Sequence, residues 1–173
     1  GFLDAYDAAT GKRRWRFYTI PGPGEFGNDT WKGDSWNTGG GPTWLTGSYD
    51  PDLNLVYWAV GNPAPEFDRS VRGELDNLFS DSVVALDPDT GKLKWHYQIV
   101  HHELWDYNLP PSPTLIDIKK DGKTIPALAQ VGKTAYMYIL NRVTGKPIYP
   151  TPEVPVTKSL VPKEVSYPTQ PIP

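Results

Sequence analysis

Apolar residues in this chain fall in short, partly alternating runs bounded by glycine, proline and asparagine. The runs at 43–49, 55–60, 82–86, 93–99, 114–118, 127–131 and 135–140 read as strands. No 11-residue window carries a convincing helical period. The run from Leu53 to Val60 alternates imperfectly, as expected of a strand covered on both faces.

An internal repeat organises these strands. Ala5, Asp7, Thr10, Gly11, Lys12 and Trp15 recur without a gap as Ala85, Asp87, Thr90, Gly91, Lys92 and Trp95. A degenerate third copy runs over 139–149, with Asn141 for the aspartate and Tyr149 for the tryptophan. The pattern predicts a hairpin. The Asp or Asn side chain accepts from turn amides, and the glycine supplies a positive φ. The ring that follows is placed to pack on the neighbouring repeat.

Repeats of about four strands with an outer aromatic predict β-propeller blades. Residues 1–18 end one blade, 40–99 form the next and 111–149 a third. Residues 150–173 hold seven prolines and read as a strandless connector. Three blades do not close a propeller, so the expectation is part of a longer chain, or one completed by another. The absence of an initiator methionine at Gly1 and the abrupt Pro-rich end fit a processed or partial chain.

Composition narrows the class. Proline and glycine are abundant, at 19 and 16 residues, but 22 aromatic residues argue against disorder. A net charge of -3 argues against binding nucleic acid through its phosphates. Without cysteine there is no disulfide, zinc–thiolate site or cysteine nucleophile within these residues. No apolar run reaches 18 residues, so no membrane helix is encoded here.

Four places carry candidate chemistry. Gly39-Gly40-Gly41-Pro42-Thr43-Trp44 is either a loop before a core tryptophan or an aromatic floor under a flat ligand. Asn62, in Gly61-Asn62-Pro63, is either a turn residue or an amide ligand for a hard cation. In His101-His102-Glu103-Leu104-Trp105-Asp106, adjacent histidines on extended backbone point apart and need not share a metal. Asp106 suits a base, a metal ligand or a turn cap. Lys133 precedes an apolar strand, where a lysine is ordinarily solvated.

In this order, the repeats, Gly39 to Trp44, Gly61-Asn62-Pro63-Ala64-Pro65, Trp105-Asp106-Tyr107 and Lys133 resemble the PQQ-dependent quinoprotein alcohol and sugar dehydrogenases. The resemblance implies an all-β fold, part of an eight-bladed β-propeller with tryptophan-docking motifs. It implies an enzyme using PQQ and Ca²⁺ to oxidise an alcohol, polyol or sugar hydroxyl, with hydride passing to the quinone. By the same resemblance Trp44 lies against the quinone, with Thr43 beside the cofactor. Asn62 and Asp106 approach Ca²⁺, Asp106 is the catalytic base, and Lys133 reaches the quinone oxygens.

The family's glutamate ligand and adjacent-cysteine disulfide would precede Gly1. Asn108 stands where lanthanide enzymes of the family carry a second aspartate, which favours Ca²⁺ over a trivalent ion. The resemblance further implies a periplasmic location and a cytochrome c or quinone as electron acceptor. The stretch from His101 to Asp106 and the tail look closer to the sugar and polyol enzymes, whereas Trp44 and 61–65 resemble the soluble alcohol enzymes. A noncatalytic propeller scaffold, like outer-membrane assembly proteins with the same repeat, is the alternative; it explains the repeats but not the joint presence of Trp44, Asn62, Asp106 and Lys133.

Overall fold

The computed structural model describes residues 1–66 and 69–173. Strands β1 (Phe2–Tyr6) and β2 (Arg13–Tyr18) form an antiparallel pair. β3 (Ser48–Asp50), β4 (Leu55–Ala59), β5 (Ser82–Leu86) and β6 (Leu93–Gln98) make a four-stranded antiparallel meander in chain order. β7 (Thr114–Lys120), β8 (Lys123–Val131) and β9 (Met137–Asn141) form a three-stranded meander. Helical structure among the described residues is confined to short 3-10 turns.

The meanders pack face to face. β5 is buried along its whole length, and its alternation divides it between two cores. Val83 and Ala85 join Tyr57, Trp95, Leu128, Tyr138 and Leu140, towards the β7–β9 sheet. Val84 and Leu86 join Leu3, Leu78 and Phe79 on the opposite face, with Trp15 and Phe17 of β2 packed alongside. The four-stranded sheet therefore sits between its neighbours as a propeller blade does.

The repeat forms the seams between sheets. In all three copies one side-chain oxygen caps a turn. Asp7 accepts from Ala9 N at 3.2 Å and Thr10 N at 2.9 Å. Asp87 accepts from Asp89 N and Thr90 N, both at 3.0 Å. Asn141 accepts from Val143 N at 2.9 Å and Thr144 N at 3.1 Å. Trp15 then donates from Nε1 to Pro88 O at 2.8 Å, in the second copy. Trp95 does the same to Arg142 O at 3.2 Å, in the third. Each ring lies over the next repeat's glycine. A methyl group at Gly91 would fall 2.6 Å from the Trp15 ring, and one at Gly145 2.6 Å from that of Trp95.

Two expectations change. The strand at 43–49 begins only at Ser48, because 43–47 leaves the sheet as a loop beside 112–113. Thr46 Oγ1 pairs there with Ser112 Oγ at 2.8 Å, and the Ser48 hydroxyl donates to Pro113 O. The stretch at 150–173 is not strandless. It holds β10 (Glu153–Pro155) paired antiparallel with β11 (Thr169–Pro171). Prolines are tolerated in such a two-stranded pair because each strand has an edge that requires no donor.

Candidate functional site

Four segments meet where the strands of the central sheet end. Gly61 N donates to Pro42 O at 2.8 Å, Asp81 N to Gly61 O at 3.1 Å, and Ile99 N to Asp81 O at 2.8 Å. This backbone ladder joins the glycine loop, the Asn62 loop, the approach to β5 and the end of β6. Gly41 N also donates to Asn62 O at 2.9 Å. Gly40 has φ +81°, and a methyl group there would fall 2.7 Å from Ala64 N, so the close approach of these loops requires glycine.

Asn108 draws three of the expected residues together. Its Oδ1 accepts from Asn62 N at 2.8 Å, its carbonyl accepts from Lys133 N at 3.0 Å, and its Nδ2 donates to Asp106 Oδ1. Lys133 Nζ donates to the other carboxylate oxygen, Asp106 Oδ2, at 2.6 Å. Asp106 is thus held from both sides yet remains partly open, with its side chain 43% exposed. Asn62 Nδ2 donates to Pro63 O at 3.2 Å, leaving its Oδ1 as the atom available to a cation.

The loop around Asp106 is shaped from within. Glu103, almost fully buried, accepts at Oε1 from Trp105 N and, at 3.0 Å, from Tyr107 N. The turn places Asp106 at φ +62° and stacks Trp105 on Tyr107, with ring centroids 5.5 Å apart. Both rings are exposed, and a cavity of about 560 Å³ opens beside them, lined also by Lys133 and Tyr136. The adjacent histidines diverge, but in a turn with His102 at φ +43° and not on the extended backbone expected. His102 Nδ1 meets Leu75 O at 2.9 Å, whereas His101 faces Asp76 and Glu153, each at 3.2 Å.

Trp44 and Thr43 stand apart from this cluster. Trp44 is 57% exposed and is not a core tryptophan. It presents a free aromatic face two residues beyond Pro42, the acceptor of the Gly61 amide. Thr43 Oγ1 donates to Phe2 O at 2.8 Å, so its hydroxyl is turned to the first sheet.

Asp81 carries no local sequence signal of a site, and Glu103 stands in a candidate stretch without a role of its own. Asp81 follows Phe79-Ser80 and precedes a valine run, which marks it only as a strand entry. In the fold it is fully buried, and neither carboxylate oxygen has a hydrogen-bond partner. Burial pushes its pKa well above the usual carboxylate range. Glu103 and Asp106 push it further, against Arg72 and Lys133.

The donor set fits a bound cation with an anionic, flat partner. It offers an amide oxygen, a partly open carboxylate and an ammonium group, with the exposed indole of Trp44 outside the cluster.

The glucose/ethanol/alcohol dehydrogenase beta-propeller domain of the PQQ type matches residues 1–173. Quinohemoprotein alcohol dehydrogenase ADH IIB of Pseudomonas putida is 44% identical over 159 residues, covering 84% of this chain and 23% of that protein. Quinoprotein glucose dehydrogenase of Gluconobacter oxydans is 40% identical over 174 residues, covering 99% of this chain and 21% of that protein. Among solved structures, the quinohemoprotein alcohol dehydrogenase of Comamonas testosteroni superposes with a TM-score of 0.80 at 36% identity, covering 98% of this chain and 27% of that one. A europium-containing methanol dehydrogenase superposes with a TM-score of 0.81 at 34% identity, covering 98% and 33%. The chain spans about a quarter of the length of such relatives.

Proposed function

The chain belongs to the PQQ-type glucose/ethanol/alcohol dehydrogenase beta-propeller family, and from that premise we propose that it carries the catalytic base and part of the cofactor site of a quinoprotein dehydrogenase. The observation that carries this reading is the Asn62–Asn108–Asp106–Lys133 cluster at the strand ends. Its substrate class is an alcohol, polyol or sugar hydroxyl.

PQQ, when bound, supplies the two-electron acceptor. The chain's own groups orient and move protons. Asn62 Oδ1 and the Asp106 carboxylate would hold Ca²⁺, a hard cation suited to oxygen ligands. Asn108 and Lys133 fix the carboxylate plane from opposite oxygens, presenting Asp106 to take the proton of the substrate hydroxyl. Lys133 also supplies positive charge toward the anionic cofactor. Trp44 offers it a flat apolar face, with Thr43 beside it. Trp105 and Tyr107, stacked on one another next to the base, line the cavity that would receive the substrate. Electrons leave to a cytochrome c or a quinone, and the protein works in the periplasm.

The test is to denature the full-length protein from its source and measure the released small molecules by mass and absorbance. PQQ near one per chain is the expected result. No PQQ, even after incubation of the full-length protein with PQQ and Ca²⁺, overturns the enzyme reading in favour of a propeller scaffold.

A further inference from the structure

The β10–β11 pair doubles back onto the loop that carries the base. Gln170 of β11 spends its whole side-chain amide on one residue. Its Oε1 accepts from His101 N at 2.8 Å, and its Nε2 donates to His101 O at 2.7 Å. The His101 ring meets Glu153 of β10 at 3.2 Å and lies 4.8 Å, centroid to centroid, from the ring of Tyr167. Tyr138 of β9 donates to Pro171 O at 2.9 Å. Both strands of the pair are thereby fixed to the segment that also carries Asp106.

Held there, the pair forms part of the cavity of about 560 Å³ beside the base. Val156, Thr157 and Ile172 line it together with Trp105, Tyr107 and Lys133. Pockets of about 300–1,000 Å³ enclose ligands of drug size, so this space exceeds what a two-carbon alcohol needs. Much of its polar lining is already engaged. Lys133 donates to Asp106, the Gln170 amide is taken up by His101, and the Tyr138 hydroxyl by Pro171 O. A sugar or open polyol would bring several hydroxyls, each of which costs free energy if buried without a partner. The aromatic and aliphatic side chains around the cavity suit an apolar body instead.

We infer that the β10–β11 pair is a specificity wall of the substrate site. Val156, Thr157 and Ile172 touch the part of the substrate remote from its reacting hydroxyl, and that part is an apolar body about the size of a six-membered ring. The inference rests on the dehydrogenase reading above and narrows its substrate class. Asp106 and Lys133 act on the hydroxyl whatever carries it, whereas the wall acts on the carrier alone.

The experiment measures dye-coupled oxidation of ethanol, glucose and cyclohexylmethanol by the full-length, PQQ-loaded protein. Cyclohexylmethanol is expected to have the highest kcat/KM of the three. Thr157 is exposed at the cavity, so Thr157→Trp adds bulk there without entering a core. It is expected to lower kcat/KM for cyclohexylmethanol relative to ethanol by about tenfold, chiefly through KM. Leu160→Trp puts a ring on the same segment at a position that is 96% exposed and outside the cavity lining. It is expected to keep the parent ratio. If Thr157→Trp fails to fold, Ile172→Ala, which removes wall contact, is read on the same ratio and is expected to lower it.

A parent that prefers ethanol or glucose overturns the apolar body. No change at 157, or equal changes at 157 and 160, overturns the wall. A parent that holds PQQ yet oxidises none of the three overturns the inference as a whole. A parent that holds no PQQ fails the dehydrogenase reading itself, which separates the two failures.

Discussion

The seams between sheets and the loops at the strand ends solve opposite problems with similar residues. At the seams an Asp or Asn caps its own turn two and three residues on, a glycine takes positive φ, and an indole lies over it. The capping side chains there are satisfied within their own turns, and each indole N–H by the next copy. At the strand ends Asp106 also sits at positive φ, but its partners come from 108 and from 133. The Asp81 carboxylate has no hydrogen-bond partner. The seam is built from turns that close on themselves and from one indole contact to the next copy, a solution that can be repeated. The site is an open, long-range one that leaves charge for a ligand to meet.

This contrast is broken most strongly at Asp106. Asp106→Asn in the full-length, cofactor-loaded protein should lower dye-coupled turnover by about 10²- to 10⁴-fold. Its circular dichroism and melting temperature should stay close to those of the parent. Undiminished dye reduction would remove Asp106 as the base.

The seams should answer in stability, not turnover. Gly91→Ala forces a methyl group into the Trp15 ring at φ +72° and should cost about 1–3 kcal/mol beyond the backbone strain, read from urea midpoints. Gly11→Ala is the control. Its φ is +67°, but nothing lies within 4 Å, so it should show only the left-handed penalty of about 1–2 kcal/mol. Equal losses at the two positions would mean that the ring does not dock as described. Trp95→Phe, which removes the bond to Arg142 O, should cost about 0.5–1.5 kcal/mol from that bond, a smaller effect in the same assay.

The smallest expected effect lies between the two regions, where His101 clasps the β10–β11 pair. Burial alone would lower the His101 pKa, but its contacts with Asp76 and then Glu153 outweigh burial and raise it. The Asp76 carboxyl is lowered chiefly by its bond to His101, with Tyr167 and His96 adding to the shift in the same direction. The histidine contribution is therefore complete below its ordinary value of 6.5 and is lost as pH rises through the raised folded value. The Asp76 contribution is present above 3.8 and is lost as pH falls through its lowered folded value. Amide exchange in β10 and β11, corrected for intrinsic rate, should accelerate above neutrality, and His101→Gln should abolish that change. A pH-independent profile in the parent would sink the clasp.

The legibility of the chain follows from the same difference. The 5–15, 85–95 and 139–149 turns were readable because each closes on itself within eleven residues, and β5 at 82–86 was bounded as expected. The start of β3 was misplaced because the partners of Thr46 and Ser48 lie near residue 112, beyond the reach of any local pattern. Asn62, Asp106 and Lys133 could be singled out by residue type and neighbours, but their common partner Asn108 could not be identified as the link. Asp81 was invisible for a further reason. A lone aspartate at a strand entry usually faces water, and only the stacking of sheets on both sides of β5 puts this one in the dark.

The docking tryptophans also give the molecule a direction. Trp15 enters the second copy and Trp95 the third, always forward along the chain, so donor and receptor are different surfaces. Such head-to-tail joints do not pair off as symmetric ones do. Repeated with a constant turn they end in a closed ring, and with any other turn they run on as an open fibre. In this architecture the rotation per seam, to which the indole-on-glycine contact contributes beside the inter-sheet cores, is what separates a closed ring from a filament.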